Sequence, residues 1–316
     1  VPARDDLVDR VQAIRHAVND GTSLEVLGHQ PVAPAKDEAA RLFRNGLAVA
    51  AFAVLEDFLR SRTAEVLTRC SGCALPFEDL PERLQNFSTK GVVAALKFQV
   101  DMRSRSGEDV SGFIRSAGRA LASTDTVTYE LSGLAFGQAR SNLGQADLKD
   151  LLGAFNVKDG WGSAEGLGKR MGFASLSLRD DFQGAARRRH TAAHRGGAEI
   201  ALGDLQALPA QVLGIAATFD ALISRAAFHL VSGDQAFAQS GNVDSKAIGI
   251  RYLDDDGTAI REMGEGNKRA TVVGKSYEEL LPACRGRAAS SGAVIIFSAK
   301  RTPIAWEVTD LGPGRP

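Results

Sequence analysis

The spacing of apolar residues divides the chain in two. Leu7, Val11 and Ile14 recur at helical intervals and predict a first helix over 5–19, with Gly21 as its stop. A connection containing Pro31 and Pro34 leads into a long helical pattern over 35–70. Leu42, Leu47, Ala50, Ala51, Val54, Leu55, Phe58 and Leu59 give that helix a broad apolar face, and Arg41, Arg44, Asp57, Arg60 and Arg62 fill much of the rest. A face that wide needs two partners, which predicts the central helix of a bundle. The stretch 80–123 also favours helix, whereas 125–144 is rich in Ser, Thr, Gly and Asn and predicts turns. Short helices are predicted over 147–155 and 164–171, separated by a loop over 156–163 with Gly160, Trp161 and Gly162. Another helix is predicted over 176–194, ended by Gly196 and Gly197. Asp204 reads as the N-cap of a last long helix reaching Val231, with Pro209 in its early turns and Val212, Ile215, Ala216, Phe219, Leu222 and Ile223 buried.

Beyond Ser232 the period changes. Residues 233–242 read as a linker. Ile248, Ile250 and Tyr252 alternate as in a half-buried strand over 246–253. The run Asp254, Asp255, Asp256, Gly257 marks a hairpin turn, and 258–263 returns as the second strand. The run lacks the spacing of a calcium loop. A third strand over 269–273, a capped helix over 276–284, and strands over 293–298 and 304–308 complete the pattern, before a tail with Gly312, Pro313 and Gly314. The expected fold class is mainly α. A helical bundle over 1–235 is followed by a separate small α+β module over 243–312.

Composition narrows this picture. With 316 residues, 44% hydrophobic and 24% charged, the chain is not disordered throughout. Its 38 basic and 38 acidic residues cancel, which excludes a protein basic over its whole surface. The most apolar helical stretch identified, 47–59, is shorter than the roughly 20 residues a membrane span needs, and no apolar signal core opens the chain. A soluble, cytoplasmic protein without membrane attachment is expected. The 28 arginines against 10 lysines suggest a GC-rich genome. Cys70 and Cys73 form a single Cys-x2-Cys pair, and Cys284 stands apart. A closed zinc site needs four ligands, so the pair reads as two small residues at a helix end. No nucleophile elbow and no P-loop are present, which argues against serine-hydrolase and nucleotide-hydrolase chemistry.

The neutral total conceals one uneven segment. Between 169 and 195 lie seven basic residues, Lys169, Arg170, Arg179, Arg187, Arg188, Arg189 and Arg195, against two acids, Asp180 and Asp181. Within it, His190 and His194 stand four apart and so share a helix face. Arginine forks suit phosphate oxygens, and imidazole gives and takes protons near neutral pH. Together these residues suit RNA cleavage without a metal or other cofactor, one group accepting the 2′-hydroxyl proton while arginine stabilises the phosphorane-like transition state. The same residues at a helix end also suit its last carbonyls and dipole. A zinc site at His190 and His194 lacks an evident third ligand.

The run Arg189-His190-Thr191-Ala192-Ala193-His194-Arg195-Gly196 resembles the signature of HEPN domains: an arginine, four to six residues, then a histidine at the end of a helix. The stretch 47–59, with Leu55, Glu56 and Phe58, is similar to an early helix of that family. The order Asn142, a Leu-rich helix, Phe155-Asn156-Val157 and Trp161 is similar to the segment before the motif in RiboL-PSP-HEPN and related bacterial groups. The resemblance covers about 5–232. The stretch 83–141 and the module after 243 match nothing in it. It implies a helical bundle that forms a homodimer with the two motifs facing each other. It further implies a metal-independent endoribonuclease acting on RNA in a toxin–antitoxin or phage-defence setting, with an antitoxin or defence-system partner. An inactive RNA- or nucleotide-binding and dimerisation module is the alternative. By position Arg189 and His194 match the motif pair and His190 the polar residue after the arginine. Arg187, Arg188 and Arg195 are candidate substrate-binding residues, and Glu56 matches an acidic position near the site. Arg187 and Arg188 also satisfy the spacing, so the motif arginine is not singled out.

Overall fold

A computed structural model describes residues 2–20, 26–28, 34–139, 142–195, 197–267 and 269–309. The predicted Gly21 stop, Pro31, Gly196 and the Gly312–Gly314 tail lie outside the described residues. The chain is mainly helical, with a small mixed sheet at its C-terminal end.

The bundle opens with α1 (Ala3–Asn19) and α2 (Pro34–Cys70). Next come α3 (Glu82–Asn86), a π-helical turn (Phe87–Gly91) and α4 (Val92–Arg105), which run on as one bent rod, then α5 (Ser111–Ser123). Gly91 ends the π turn where a Cβ would lie 3.1 Å from the Ala135 carbonyl, so the connecting loop passes against bare backbone. After that loop come α6 (Gln145–Ala154), α7 (Gly160–Arg170), α8 (Leu178–His194) and α9 (Leu202–Val231).

The hub is α9, not α2 alone. From Leu205 to Leu230 it is buried on nearly every side. It is long and apolar enough to cross a membrane, yet 83% of its apolar window is buried inside the protein. A helix apolar all round is satisfied by such a central place. Its one buried acid, Asp220, accepts from Arg4 Nε of α1 (2.8 Å), Arg62 Nε of α2 (2.6 Å), Ser224 Oγ (3.0 Å) and Trp306 Nε1 of the last strand (2.8 Å).

The C-terminal part is docked on this hub. Its strands are β1 (Gly249–Asp255), β2 (Ile260–Gly264), β3 (Val272–Gly274), β4 (Ala293–Ala299) and β5 (Thr302–Val308), in the order β3-β2-β1-β4-β5. β1 and β4 are parallel, and the other neighbours are antiparallel. The period of two divides the side chains. Ile250, Val294, Ile296 and Trp306 join the core of the bundle, whereas Leu253 and Ile295 pack with Leu280, Cys284 and Ala288 of α11 (Tyr277–Ser291) on the other face. One face of the sheet therefore shares the core of the bundle, while its other face and α11 form a second, smaller core.

Four local expectations need correction. Gly160, Trp161 and Gly162 open α7 instead of forming a loop, because Asp159 caps the Gly162 N–H at 3.2 Å. Asp204 lies inside the first turn of α9, and Ala201 takes the cap position without a side-chain bond. The expected linker 233–242 contains α10 (Gln235–Ser240), capped by Asp234. The helix expected to end at 284 runs to Ser291, where Gly292 closes it in the left-handed region.

Candidate functional site

The basic segment forms the second half of α8. Ser177 caps the helix by accepting from the Asp180 N–H (3.2 Å), and Asp180 and Asp181 lie in the first turn, where negative charge is favoured. One stripe of α8, Leu178, Phe182 and Ala185, is buried against α2 and α7. Phe182 meets Phe52 edge-on at 5.4 Å between ring centroids and Trp161 at 5.9 Å. Such aromatic pairs add about 0.5–1.5 kcal/mol beyond area burial and fix the rotation of the helix. Four residues on, the same stripe reaches Arg189, which is half-buried. The opposite stripe, Gln183, Arg187, His190 and His194, is exposed.

The rotation separates the three arginines. Arg188 is tied to α9: its Nη2 donates to Gln211 Oε1 at 2.8 Å, and its Nη1 lies 3.5 Å from Asp204 Oδ1. Gln211 in turn donates to Asp181 Oδ1 at 2.9 Å. Arg188 thus joins two helices. Arg187 is exposed beside the histidines, and Arg189 points inward. Neither has a hydrogen bond or ion pair to a described residue. Arg195 is exposed just past the helix.

His190 and His194 bring their rings to 4.8 Å between centroids, tilted by 54°. Neither ring has a polar partner among the described residues. The contrast is His229, whose Nδ1 lies 2.9 Å from Asp234 Oδ2 and whose ring stacks on Phe237 at 4.4 Å. His229 is held in place, while the α8 pair faces solvent.

Glu56 of α2 is 4% exposed. Its Oε1 accepts from the Leu143 N–H, and Arg60 Nη2 stands 3.9 Å away. Burial pushes its carboxyl up. The Leu143 N–H, then Arg60, then Arg189 pull the other way and do not offset burial. Arg189 therefore acts on Glu56 through space, without an ion pair. Beyond α8, Ala198 O accepts from Asn45 Nδ2 (2.9 Å) and Arg41 Nη1 (3.2 Å), and Glu199 pairs with Arg44 Nη2 (2.9 Å). These bonds bring the start of α2 to the end of α8. In that part of α2, Leu42 and Phe43 are each 59% exposed, an apolar pair close to the basic end.

Among the described residues no group of three or more His, Cys, Asp or Glu gathers as a metal site. Cys70 is buried, which pushes its thiol up to about 12, and Cys73 Sγ lies 2.9 Å from the Tyr129 hydroxyl. One concave feature carries no local signal in the sequence, a cavity of about 560 Å³ between the sheet and the turn after α7. Its buried acid, Asp254, belongs to the run assigned to a hairpin turn. The turn reading holds for Asp256, which accepts from the Thr258 and Ala259 N–H groups, whereas Asp254 and Asp255 are strand residues. No family model, no curated protein and no solved structure matches the chain.

Proposed function

We propose that the chain is a metal-independent endoribonuclease of the HEPN type, with the end of α8 as its active surface. The observation that carries this reading is the exposed imidazole pair at 4.8 Å, beside arginines that have no direct partner among the described residues. One imidazole accepts the 2′-hydroxyl proton as that oxygen attacks the adjacent phosphorus. The 5′-oxygen leaves and takes a proton from an imidazolium. The products are a 2′,3′-cyclic phosphate and a 5′-hydroxyl, and arginine balances the charge on the equatorial oxygens.

An in-line displacement needs its base and its acid on opposite sides of phosphorus. Two rings on one helix face approach from one side only, so a second copy of the chain supplies the other. Exposed Leu42 and Phe43 offer apolar surface for such a homodimer. Because Arg188 is engaged by α9, the motif arginine is Arg187, on the histidine stripe, or Arg189, on the inner stripe near Glu56. A toxin or phage-defence setting, with its own partner protein, fits this activity.

The test is cleavage of a labelled RNA in EDTA by the purified chain, with end analysis of the products. His194→Ala should lower the rate by about 10²–10⁴-fold, the range for one general acid or base. Binding of RNA that weakens with salt, with no cleavage by the unaltered chain, would assign the surface to binding alone.

A further inference from the structure

We infer that the cavity between the C-terminal sheet and the turn after α7 is a binding site for a purine nucleotide, independent of the α8 surface. The cavity, about 560 Å³, lies over the carboxyl halves of the parallel strands β1 and β4, lined there by Tyr252, Asp254, Ile296 and Ser298. It falls within the roughly 300–1,000 Å³ of small-molecule sites.

Its polar groups are few and placed at two ends. Asp254 is 5% exposed and Ser298 3%. Asp254 Oδ1 accepts from Ser298 Oγ (2.5 Å) and from the Arg301 backbone N–H (2.8 Å). Its Oδ2 takes no hydrogen bond from a described residue. That oxygen can accept from a ligand N–H or O–H. At the rim, the Arg301 guanidinium is exposed and has no hydrogen bond or ion pair to a described residue, which calls for an anion such as phosphate.

Between these ends the lining is apolar and soft. Met263, partly exposed, lines the cavity, and the buried Met171, Ile296 and Pro303 form its floor. Thioether sulfur favours the edges and faces of aromatic rings. A flat heteroaromatic ring with N–H donors, joined to a phosphate, suits all three groups at once, and a purine nucleotide is such a molecule.

The backbone supports the assignment. Lys300 and Arg301 turn β4 into β5 with φ of 48° and 66°, a two-residue turn that favours Asn-Gly. Two bulky cationic residues occupy it, and the buried Asp254 holds the second through its N–H. Strained backbone of this kind gathers at ligand sites.

The experiment is calorimetric titration of the full chain with GMP and with AMP, and with ribose 5-phosphate as a probe lacking the base. Saturable binding of at least one nucleotide is expected, at least tenfold tighter than ribose 5-phosphate. Arg301→Asn suits the left-handed backbone while removing the charge, and should weaken that binding at least tenfold. Asp254→Asn keeps the Oδ1 acceptor and should do the same. No saturable binding of either nucleotide overturns the proposal. So does an unchanged affinity in Arg301→Asn, which decides the matter even if Asp254→Asn does not fold. Binding lost instead in Arg187→Ala or Arg189→Ala would move the nucleotide to α8, and would overturn this site without touching the nuclease reading.

Discussion

Replacing Asp220 by Asn removes one charge from the point where α1, α2, α9 and β5 meet. Asp220 is fully buried, and the Arg4 and Arg62 side chains that pair with it are each only 16% exposed. Burial alone would raise its carboxyl, but Arg4 and then Arg62 outweigh burial and hold it down at about 2. Against the ordinary value of 3.8, that difference of nearly two pH units corresponds to about 2 kcal/mol in favour of the charged form. Because the folded value lies below the unfolded one, this stabilisation is complete above pH 4 and is lost as the pH falls from about 4 to about 2. The substitution also strands two mostly buried guanidinium groups, and breaking a buried pair typically costs about 3–5 kcal/mol. The expected loss at pH 7 therefore lies between about 2 and 5 kcal/mol. Urea titrations followed by far-UV circular dichroism and by tryptophan fluorescence would measure it, and the two signals should move together, since Trp306 donates to the same carboxylate. The gap between the parent and Asp220→Asn should narrow by about 2 kcal/mol as the pH falls from 4 to 2. A loss below about 0.5 kcal/mol, or a gap independent of pH in that window, would refute the assignment of Asp220 as the charged hub.

Glu56→Gln provides the contrast. Glu56 is nearly as buried, but its carboxyl is pushed up, so its charge opposes folding at neutral pH, and Gln retains the acceptor for the Leu143 N–H. Its stability should stay within about 1 kcal/mol of the parent by the same urea assay, and a loss of several kcal/mol would contradict this. Arg188→Ala should cost about 1–3 kcal/mol by leaving Gln211 Oε1 without its donor and removing the tie to Asp204, whereas Arg187→Ala should leave the melting temperature nearly unchanged. Trp306→Phe keeps the edge contact with Phe58 at 5.7 Å but loses the bond to Asp220, and should cost about 1–3 kcal/mol in the same titration.

Much of this fold was legible because its elements are local. The α1, α2 and α8 patterns carry clear apolar periods, and the β1–β2 hairpin carries a turn signal that the register confirms, with Asp255 opposite Ile260. What the sequence hid was long-range. Nothing local marks Asp220 as the partner of Arg4 and Trp306, 216 and 86 residues away. The α7 start was misplaced because Gly160 and Gly162 read as breakers, and the Asp159 cap overrode their propensity. The linker expectation at 233–242 failed because Phe237 is needed to cover His229. At the candidate site, spacing alone placed His190 and His194 on one face. It could not separate Arg187, Arg188 and Arg189, since only packing against α2 and α9 decides which of them faces solvent. The Asp254 cavity was hidden inside a run of three acids whose turn signal was correct for its last member.

The central claim rests on whether the α8 surface cuts RNA. The direct measurement is the rate of cleavage of a labelled single-stranded RNA in EDTA, by the parent chain and by His194→Ala, with the folded state of both checked by circular dichroism. The account predicts products ending in 2′,3′-cyclic phosphate from the parent and a rate lower by about 10²–10⁴-fold in the variant. Equal rates in the two proteins, or no cleavage by the parent as a dimer, would contradict it.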